Sequence, residues 1–135
     1  RREPSTCVPK SDSAIILLAE DNETNIITVG DFLKSRGYQV LVSRNGHEAI
    51  QRAKESLPDL ILMDIQMPEL DGLETTQRIR AQKELRDIPI VALTALAMPG
   101  DRTRILLAGA NDYLAKPVGL LDLLEVIERQ LQRSK

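Results

Sequence analysis

Five short, mostly apolar runs alternate with segments of helical periodicity, and this alternation constrains the fold more than any other feature. The runs are IILLA, QVLVS, DLILM, PIVAL and DYLA, which begin at Ile15, Gln39, Asp59, Pro89 and Asp112. Continuous apolar runs of this length are typical of strands buried in a parallel sheet. Strands that alternate with helices form parallel sheets joined by right-handed helical crossovers, so the sequence predicts an α/β fold with helices on both faces.

Cap residues and periodicity set the limits of the intervening helices. A first helix is predicted over about 22–36, and two more begin after the N-terminal caps Asn45 and Asp71. A fourth is predicted over 99–109, and a fifth begins near Val118. The stripe expected to face the core in the fifth helix consists of Leu120, Leu124, Ile127 and Leu131.

The length and composition of the chain indicate one domain with one core. Its 135 residues are 42% hydrophobic, which supports a packed interior without disulfides. Residues 1–13 are polar and rich in Pro and Ser, so we expect a linker or tail before a domain over 14–133. Because the chain begins at Arg1, we expect a segment cut from a longer protein or a processed form.

Charge and cysteine content favour a cytoplasmic protein and argue against two classes of partner. The formal net charge is −2, which disfavours nucleic acid or a membrane surface as a partner of this domain. The single cysteine, Cys7, cannot form an internal disulfide, in keeping with a reducing compartment. No apolar run approaches the roughly 20 residues that a membrane-spanning helix needs.

Three acidic residues follow predicted strands. Glu20 and Asp21 come after the first strand and Asp64 after the third. Because the carboxyl ends of parallel strands meet at one edge of a sheet, we expect these carboxylates to lie together. Crowded carboxylates raise a pKa or require a cation, and Mg²⁺ prefers oxygen ligands, to which the backbone carbonyl of Gln66 would add one. Each acid alone is equally well explained as a solvated loop residue or a helix cap, but all three together favour a magnesium site.

The same edge is predicted to carry a nucleophile and its partners. We expect Asp64 to attack phosphorus and form an aspartyl phosphate. Lys116, after the fifth strand, would bind both Asp64 and a phosphoryl oxygen. Thr94, after the fourth strand, would donate its hydroxyl to the phosphoryl group, and Tyr113 would change position with it. Taken singly, these are an ordinary surface lysine, strand threonine and core-edge tyrosine.

Four segments carry a family resemblance: ILLAEDNETN, LILMDIQMPELDGLE, IPIVALTALA and AGANDYLAKP. Together they resemble the response-regulator receiver domains of two-component signalling, from about Ala14 to Leu131. The resemblance implies a flavodoxin-like (βα)5 fold, a three-layer sandwich whose five-stranded parallel sheet has the order 2-1-3-4-5.

The resemblance also implies a role for each residue of the predicted site. Asp64 would accept a phosphoryl group from a partner phosphohistidine, with Lys116 in contact with that group. Asp21, Asp64 and the carbonyl of Gln66 would bind Mg²⁺, with Glu20 acting mostly through water. Thr94 and Tyr113 would be the switch pair.

The form LAEDNETN is most similar to receivers attached to hybrid histidine kinases. We therefore expect a fragment of such a kinase, tethered to a membrane only through that parent; a stand-alone response regulator is the alternative. The lone histidine, His47, is expected to be an exposed helix residue. Because nothing near it resembles a kinase, we expect the phosphoryl donor to be a separate histidine kinase or histidine phosphotransfer domain. The fourth helix, fifth strand and fifth helix are the expected surface for partners or a homodimer, and Leu121 there is either a docking residue or core.

Three other functions compete with a signalling switch. An aspartyl-phosphate phosphatase would need a second aspartate two residues after Asp64, where Gln66 stands. A flavin-binding module would need neutral phosphate-binding amides in the first loop, where the chain has EDNE over 20–23. A purely structural domain would leave the crowded acids unexplained. We therefore expect self-phosphorylation and slow autodephosphorylation, and no enzymatic turnover.

Overall fold

Five parallel strands alternate with five α-helices in a computed structural model, which describes residues 14–66, 71–95, 99–116 and 118–133. The strands are β1 (Ile15–Ala19), β2 (Gln39–Ser43), β3 (Leu60–Asp64), β4 (Ile90–Thr94) and β5 (Asp112–Ala115). The helices are α1 (Glu23–Ser35), α2 (Gly46–Ser56), α3 (Gly72–Ala81), α4 (Pro99–Ala108) and α5 (Leu120–Arg133), with a short 3-10 turn at Lys83–Leu85. The predicted tail over 1–13 lies outside the described residues.

The strands form one sheet in the order β2-β1-β3-β4-β5, which confirms the predicted flavodoxin-like topology. Every neighbouring pair is parallel, so all five carboxyl ends lie along one edge. Ala19 pairs with Met63, and Asp64 pairs with Leu93. This register brings the ends of β1, β3 and β4 level with one another.

The two faces of the sheet bury separate apolar layers, because successive strand residues point to opposite sides. On one face Leu18 packs with residues of α1 and α5, including Leu33 and Ile127. On the other face Leu17 packs with residues of α2 and α3, including Ala53 and Ile79. Each fully buried leucine or isoleucine stabilises the fold by about 1.5–3 kcal/mol relative to an exposed one.

Two details differ from the predictions. Both β3 and β4 begin and end one residue later than predicted. Their later ends follow from pairing: Asp64 pairs with Leu93, and Thr94 pairs with Ala115. The buried face of α5 is also rotated: Leu123 and Ile127 are fully buried, whereas the predicted stripe residues other than Ile127 are half-buried at its edges. Those residues are Leu120, Leu124 and Leu131.

The described helices include none that combines the length and the apolar character needed to cross a lipid bilayer. The longest, α5, has a polar face as well as a buried one, as expected for a helix that covers one side of a sheet.

Candidate functional site

Three carboxylates converge at the carboxyl edge of the sheet. Glu20, Asp21 and Asp64 each offer an oxygen atom, and these atoms all lie within 4.8 Å of one another. Glu20 is 1% exposed and Asp64 is 2% exposed, whereas Asp21 is open to solvent. The cluster therefore has a buried floor and one accessible side.

Local hydrogen bonds hold the acidic loop after β1 in place. The Glu20 N–H donates to the Ser43 carbonyl over 2.9 Å, which extends the pairing of β1 with β2 by one residue. The Asn22 N–H donates to Glu20 Oε2 over 3.2 Å, and the Asn22 side chain caps α1 by accepting from the Asn25 N–H. Asp21 is thus held at the point where the chain turns from strand into helix.

Asp64 is held in place by the sheet and by a hydrogen bond from the loop that follows it. As the last residue of β3 it is fixed in the ladder, and the Gln66 N–H donates to its Oδ1 over 3.1 Å. Gln66 itself is exposed, and the metal-binding role predicted for its carbonyl stays a prediction.

Lys116 approaches the same carboxylates from the end of β5. Its Nζ lies 3.1 Å from Asp64 Oδ1 and 3.5 Å from Glu20 Oε1, and its side chain is 21% exposed. The Lys116 N–H donates to the Thr94 carbonyl over 2.7 Å, which anchors the backbone that carries this ammonium. One ammonium offsets only one of the three carboxylate charges.

Burial and the neighbouring carboxylate together shift the pKa of Glu20. This pKa is raised from 4.5 to about 7, mainly by burial and further by a hydrogen bond to Asp64 and the charge of Asp64. The charge of Lys116 and the Asn22 N–H act in the opposite direction. Without a cation, Glu20 therefore holds a proton against Asp64 up to near-neutral pH.

This donor set fits a small, hard divalent cation. Carboxylate oxygens are the ligands that Mg²⁺ prefers, and one accessible side leaves room for water and a phosphoryl oxygen. A cation there would replace the proton on Glu20 and balance the remaining charge. The residues present are therefore chemically suited to magnesium.

The predicted switch residues lie on the two neighbouring strands. Thr94, the last residue of β4, is fully buried, and β4 separates the strand of Asp64 from the strand of Lys116. Tyr113 lies on β5, half-buried against an apolar cluster that includes Ile65. Thr94 therefore lies at the same edge of the sheet as the carboxylates. Tyr113 pairs with Ala92, two residues before Thr94 along β4, and so lies further from that edge.

Sequence reasoning missed one glycine that shapes the site. The Gly72 N–H donates to the Ile65 carbonyl over 2.9 Å, and a Cβ at Gly72 would overlap the Asp64 carbonyl oxygen and lie 2.7 Å from Ile65 Cα. Only glycine lets the start of α3 pack this closely against the backbone of Asp64. The sequence signal, a glycine directly after the helix cap Asp71, does not distinguish this position from an ordinary helix start.

Comparisons with known proteins agree on one family. The family model for the response regulator receiver domain matches residues 16–128. The polar-differentiation response regulator DivK of Brucella anthropi is 44% identical over 124 residues, which cover 92% of this chain and 98% of that protein.

Two solved receiver domains of histidine kinases are also similar. One, from a sensor histidine kinase of Pseudomonas aeruginosa PAO1, has a magnesium ion coordinated in its active site cleft; it is 43% identical with a TM-score of 0.83, over 89% of this chain and 98% of its own. Another, from a signal transduction histidine kinase of Syntrophus aciditrophicus, is 37% identical with a TM-score of 0.84, over 90% of this chain and 92% of its own.

Proposed function

Because the chain belongs to the response regulator receiver domain family of two-component signalling, we propose that Asp64 accepts a phosphoryl group from a partner phosphohistidine. The partner would be a histidine kinase or a histidine phosphotransfer domain. The observation that carries this proposal is the position of the Asp64 carboxylate, 3.1 Å from the Lys116 ammonium and clustered with two further carboxylates at the carboxyl edge of the sheet.

Glu20, Asp21 and Asp64, with the backbone carbonyl of Gln66, would hold Mg²⁺. The similar receiver domain from Pseudomonas aeruginosa, which is 43% identical, has a magnesium ion coordinated in its active site cleft, and this supports the assignment. The ion would offset the negative charge that an incoming phosphoryl group meets among these carboxylates.

The chain's own residues provide the nucleophile and its orientation. A carboxylate oxygen of Asp64 forms a bond to phosphorus, the bond from phosphorus to the histidine nitrogen breaks, and the released imidazole nitrogen takes up a proton. The Gln66 N–H and Lys116 Nζ both contact Asp64 Oδ1, so they fix the orientation of the carboxylate before transfer. After transfer, Lys116 binds a phosphoryl oxygen as well.

Phosphorylation would then act on a neighbouring surface. The acyl phosphate carries about −1.5 to −2 charges where the Asp64 carboxylate carried one. Thr94 donates its hydroxyl to the new oxygens, Tyr113 turns inward, and the face formed by α4, β5 and α5 changes its affinity for a partner or a second copy. The exposed apolar side chains Leu107 and Leu121, which are 81% and 72% exposed, support a docking role for this face.

We propose that residues 14–133 form the receiver domain. The same phosphoryl transfer to Asp64 is proposed whether the domain belongs to a hybrid histidine kinase or is a stand-alone response regulator. The relatives include a response regulator of about this length and receivers of sensor histidine kinases. Gln66 stands where a phosphatase would need its second aspartate, so turnover is limited to slow loss of the phosphoryl group.

The test is phosphorylation by acetyl phosphate with and without Mg²⁺, followed by phosphate-affinity electrophoresis. We expect a shifted, hydroxylamine-sensitive band for the wild type with Mg²⁺ and none for Asp64→Asn. Asp31→Asn, which changes an exposed aspartate on α1, is the matched control and should shift as the wild type does. A shifted Asp64→Asn band, or no shift in the wild type, would contradict the proposal.

A further inference from the structure

Arg80 ties together chain segments at the edge of the sheet opposite the carboxylates. Near the end of α3, its guanidinium donates from Nε to the Gly109 carbonyl over 2.9 Å. A terminal nitrogen donates to the carbonyls of Arg86 and Ile88, each over 2.8 Å. The other terminal nitrogen donates to Asn111 Oδ1 over 2.6 Å. One side chain therefore joins α3, the segment before β4, and the turn between α4 and β5.

The charge of Arg80 suits the end of α4. Gly109 directly follows α4, and the C-terminal end of a helix carries a negative partial charge that favours a nearby cation. Burial lowers the pKa of Arg80, and the charge of Asp87 raises it. Gly109 has a φ of 119°, and a Cβ there would lie 2.6 Å from Arg80 Cγ, so the approach also requires glycine.

Asn111 extends this connection into the sheet. Its Oδ1 accepts from the Ile90 N–H over 2.8 Å, and its own N–H donates to the Ile90 carbonyl over 2.7 Å. The Asn111 side chain thus bridges Arg80 and the first residue of β4. The C-terminal end of α4 is bound to the rigid part of the fold through these contacts.

The other end of α4 lies toward the proposed switch. The first turn of α4 carries Arg102, whose guanidinium carbon lies 5.8 Å from the centre of the Tyr113 ring. Further along the helix, Ile105 is buried, whereas Leu107 is 81% exposed, so α4 packs on one side only. One end is therefore anchored, and the other contacts a residue proposed to move.

We propose that Arg80 is a positioning residue of the switch, which fixes the C-terminal end of α4 so that phosphorylation of Asp64 tilts the helix about Gly109. This inference rests on the proposed function. The tilt would separate Arg102 from Tyr113 at the first turn and leave the contacts of Gly109 and Asn111 unchanged. Without Arg80, α4 would respond along its whole length, and the change would no longer be concentrated near Tyr113.

The test is residue-resolved amide hydrogen exchange by NMR on the full chain with Mg²⁺, with and without beryllium fluoride, a phosphoryl mimic. In the wild type we expect beryllium fluoride to change exchange over 100–103 and to leave Gly109 and Asn111 unchanged. In Arg80→Ala these two amides should exchange about ten- to a hundredfold faster, the effect of losing a hydrogen bond to a charged group. The response to beryllium fluoride should then extend over all of α4.

Arg78→Ala is the matched control, because Arg78 lies on the same helix and pairs on the surface with Glu74. It should behave as the wild type. Arg80→Lys keeps the positive charge but lacks the planar guanidinium, so we expect exchange rates between those of the wild type and Arg80→Ala. If Arg80→Ala does not fold, Arg80→Lys serves as the test variant. The inference is overturned if the Arg80 variants match Arg78→Ala, or if exchange rises uniformly along the chain with no change in the beryllium fluoride response.

Beryllium fluoride binding is measured separately by ¹⁹F NMR. If the wild type binds none, the proposed phosphoacceptor function fails and the switch role of Arg80 fails with it. If the wild type binds and the Arg80 variants keep a response confined to 100–103, only the inference about Arg80 fails.

Discussion

The raised pKa of Glu20 predicts that the metal-free protein loses stability as the pH rises from 4.5 to about 7. In the folded protein this carboxyl keeps its proton up to about pH 7, whereas in the unfolded chain it ionises near 4.5. The folded state therefore binds more protons between these values, and the free energy of unfolding decreases as the pH increases. Below pH 4.5 the contribution is fully present, and above about 7 it is lost.

The size of the effect follows from the shift. Each pKa unit corresponds to about 1.4 kcal/mol, so the displacement of Glu20 corresponds to roughly 3 kcal/mol of unfolding free energy across this range. That is a large share of the 5–15 kcal/mol typical of a folded domain. Above pH 7, Mg²⁺ at about 100 times its Kd would increase the free energy of unfolding by about 2.7 kcal/mol, because it binds only the folded state.

Urea unfolding in the presence of a chelator, at several pH values, measures this contribution. Glu20→Gln resembles the protonated carboxyl at all pH values, so the difference between wild type and variant isolates this one group from other titrations. We expect the wild type to become less stable relative to Glu20→Gln as the pH rises, and Mg²⁺ to stabilise the wild type more than the variant. A difference between the two proteins that does not change with pH would refute the reasoning.

Two further predictions concern residues around the site. Gly72→Ala should lower the free energy of unfolding by about 1–3 kcal/mol and slow phosphorylation of Asp64, because the added methyl group displaces the Asp64 backbone. Urea unfolding measures the first effect and the acetyl phosphate reaction the second. Wild-type values in both assays would contradict the close approach of Gly72 to Asp64. Ser43→Ala should raise the free energy of unfolding by about 1 kcal/mol, because the buried Ser43 hydroxyl has no hydrogen-bond partner among the described residues. In Ser35→Ala, where the hydroxyl donates to the Phe32 carbonyl, we expect no gain.

Sequence alone determined the order and type of the elements. Apolar runs and helical periodicity are local properties, and so are caps such as Asn45 and Asp71, whose side chains accept from the N–H groups of Glu48 and Glu74. Parallel topology then follows from alternation, and convergence of Glu20, Asp21 and Asp64 follows from topology. Each step needs only neighbouring residues and the geometry of a parallel sheet.

Only the tertiary structure decided how these groups affect one another. The proton on Glu20 depends on its distance from Asp64 and on its burial, neither of which a strand pattern specifies. The contacts of Arg80 join segments about 30 residues apart, and its place on α3 identifies it only as one more polar helix residue. Periodicity is encoded within a few residues of chain, whereas pKa values and long-range hydrogen bonds arise when distant segments come within a few ångströms of each other.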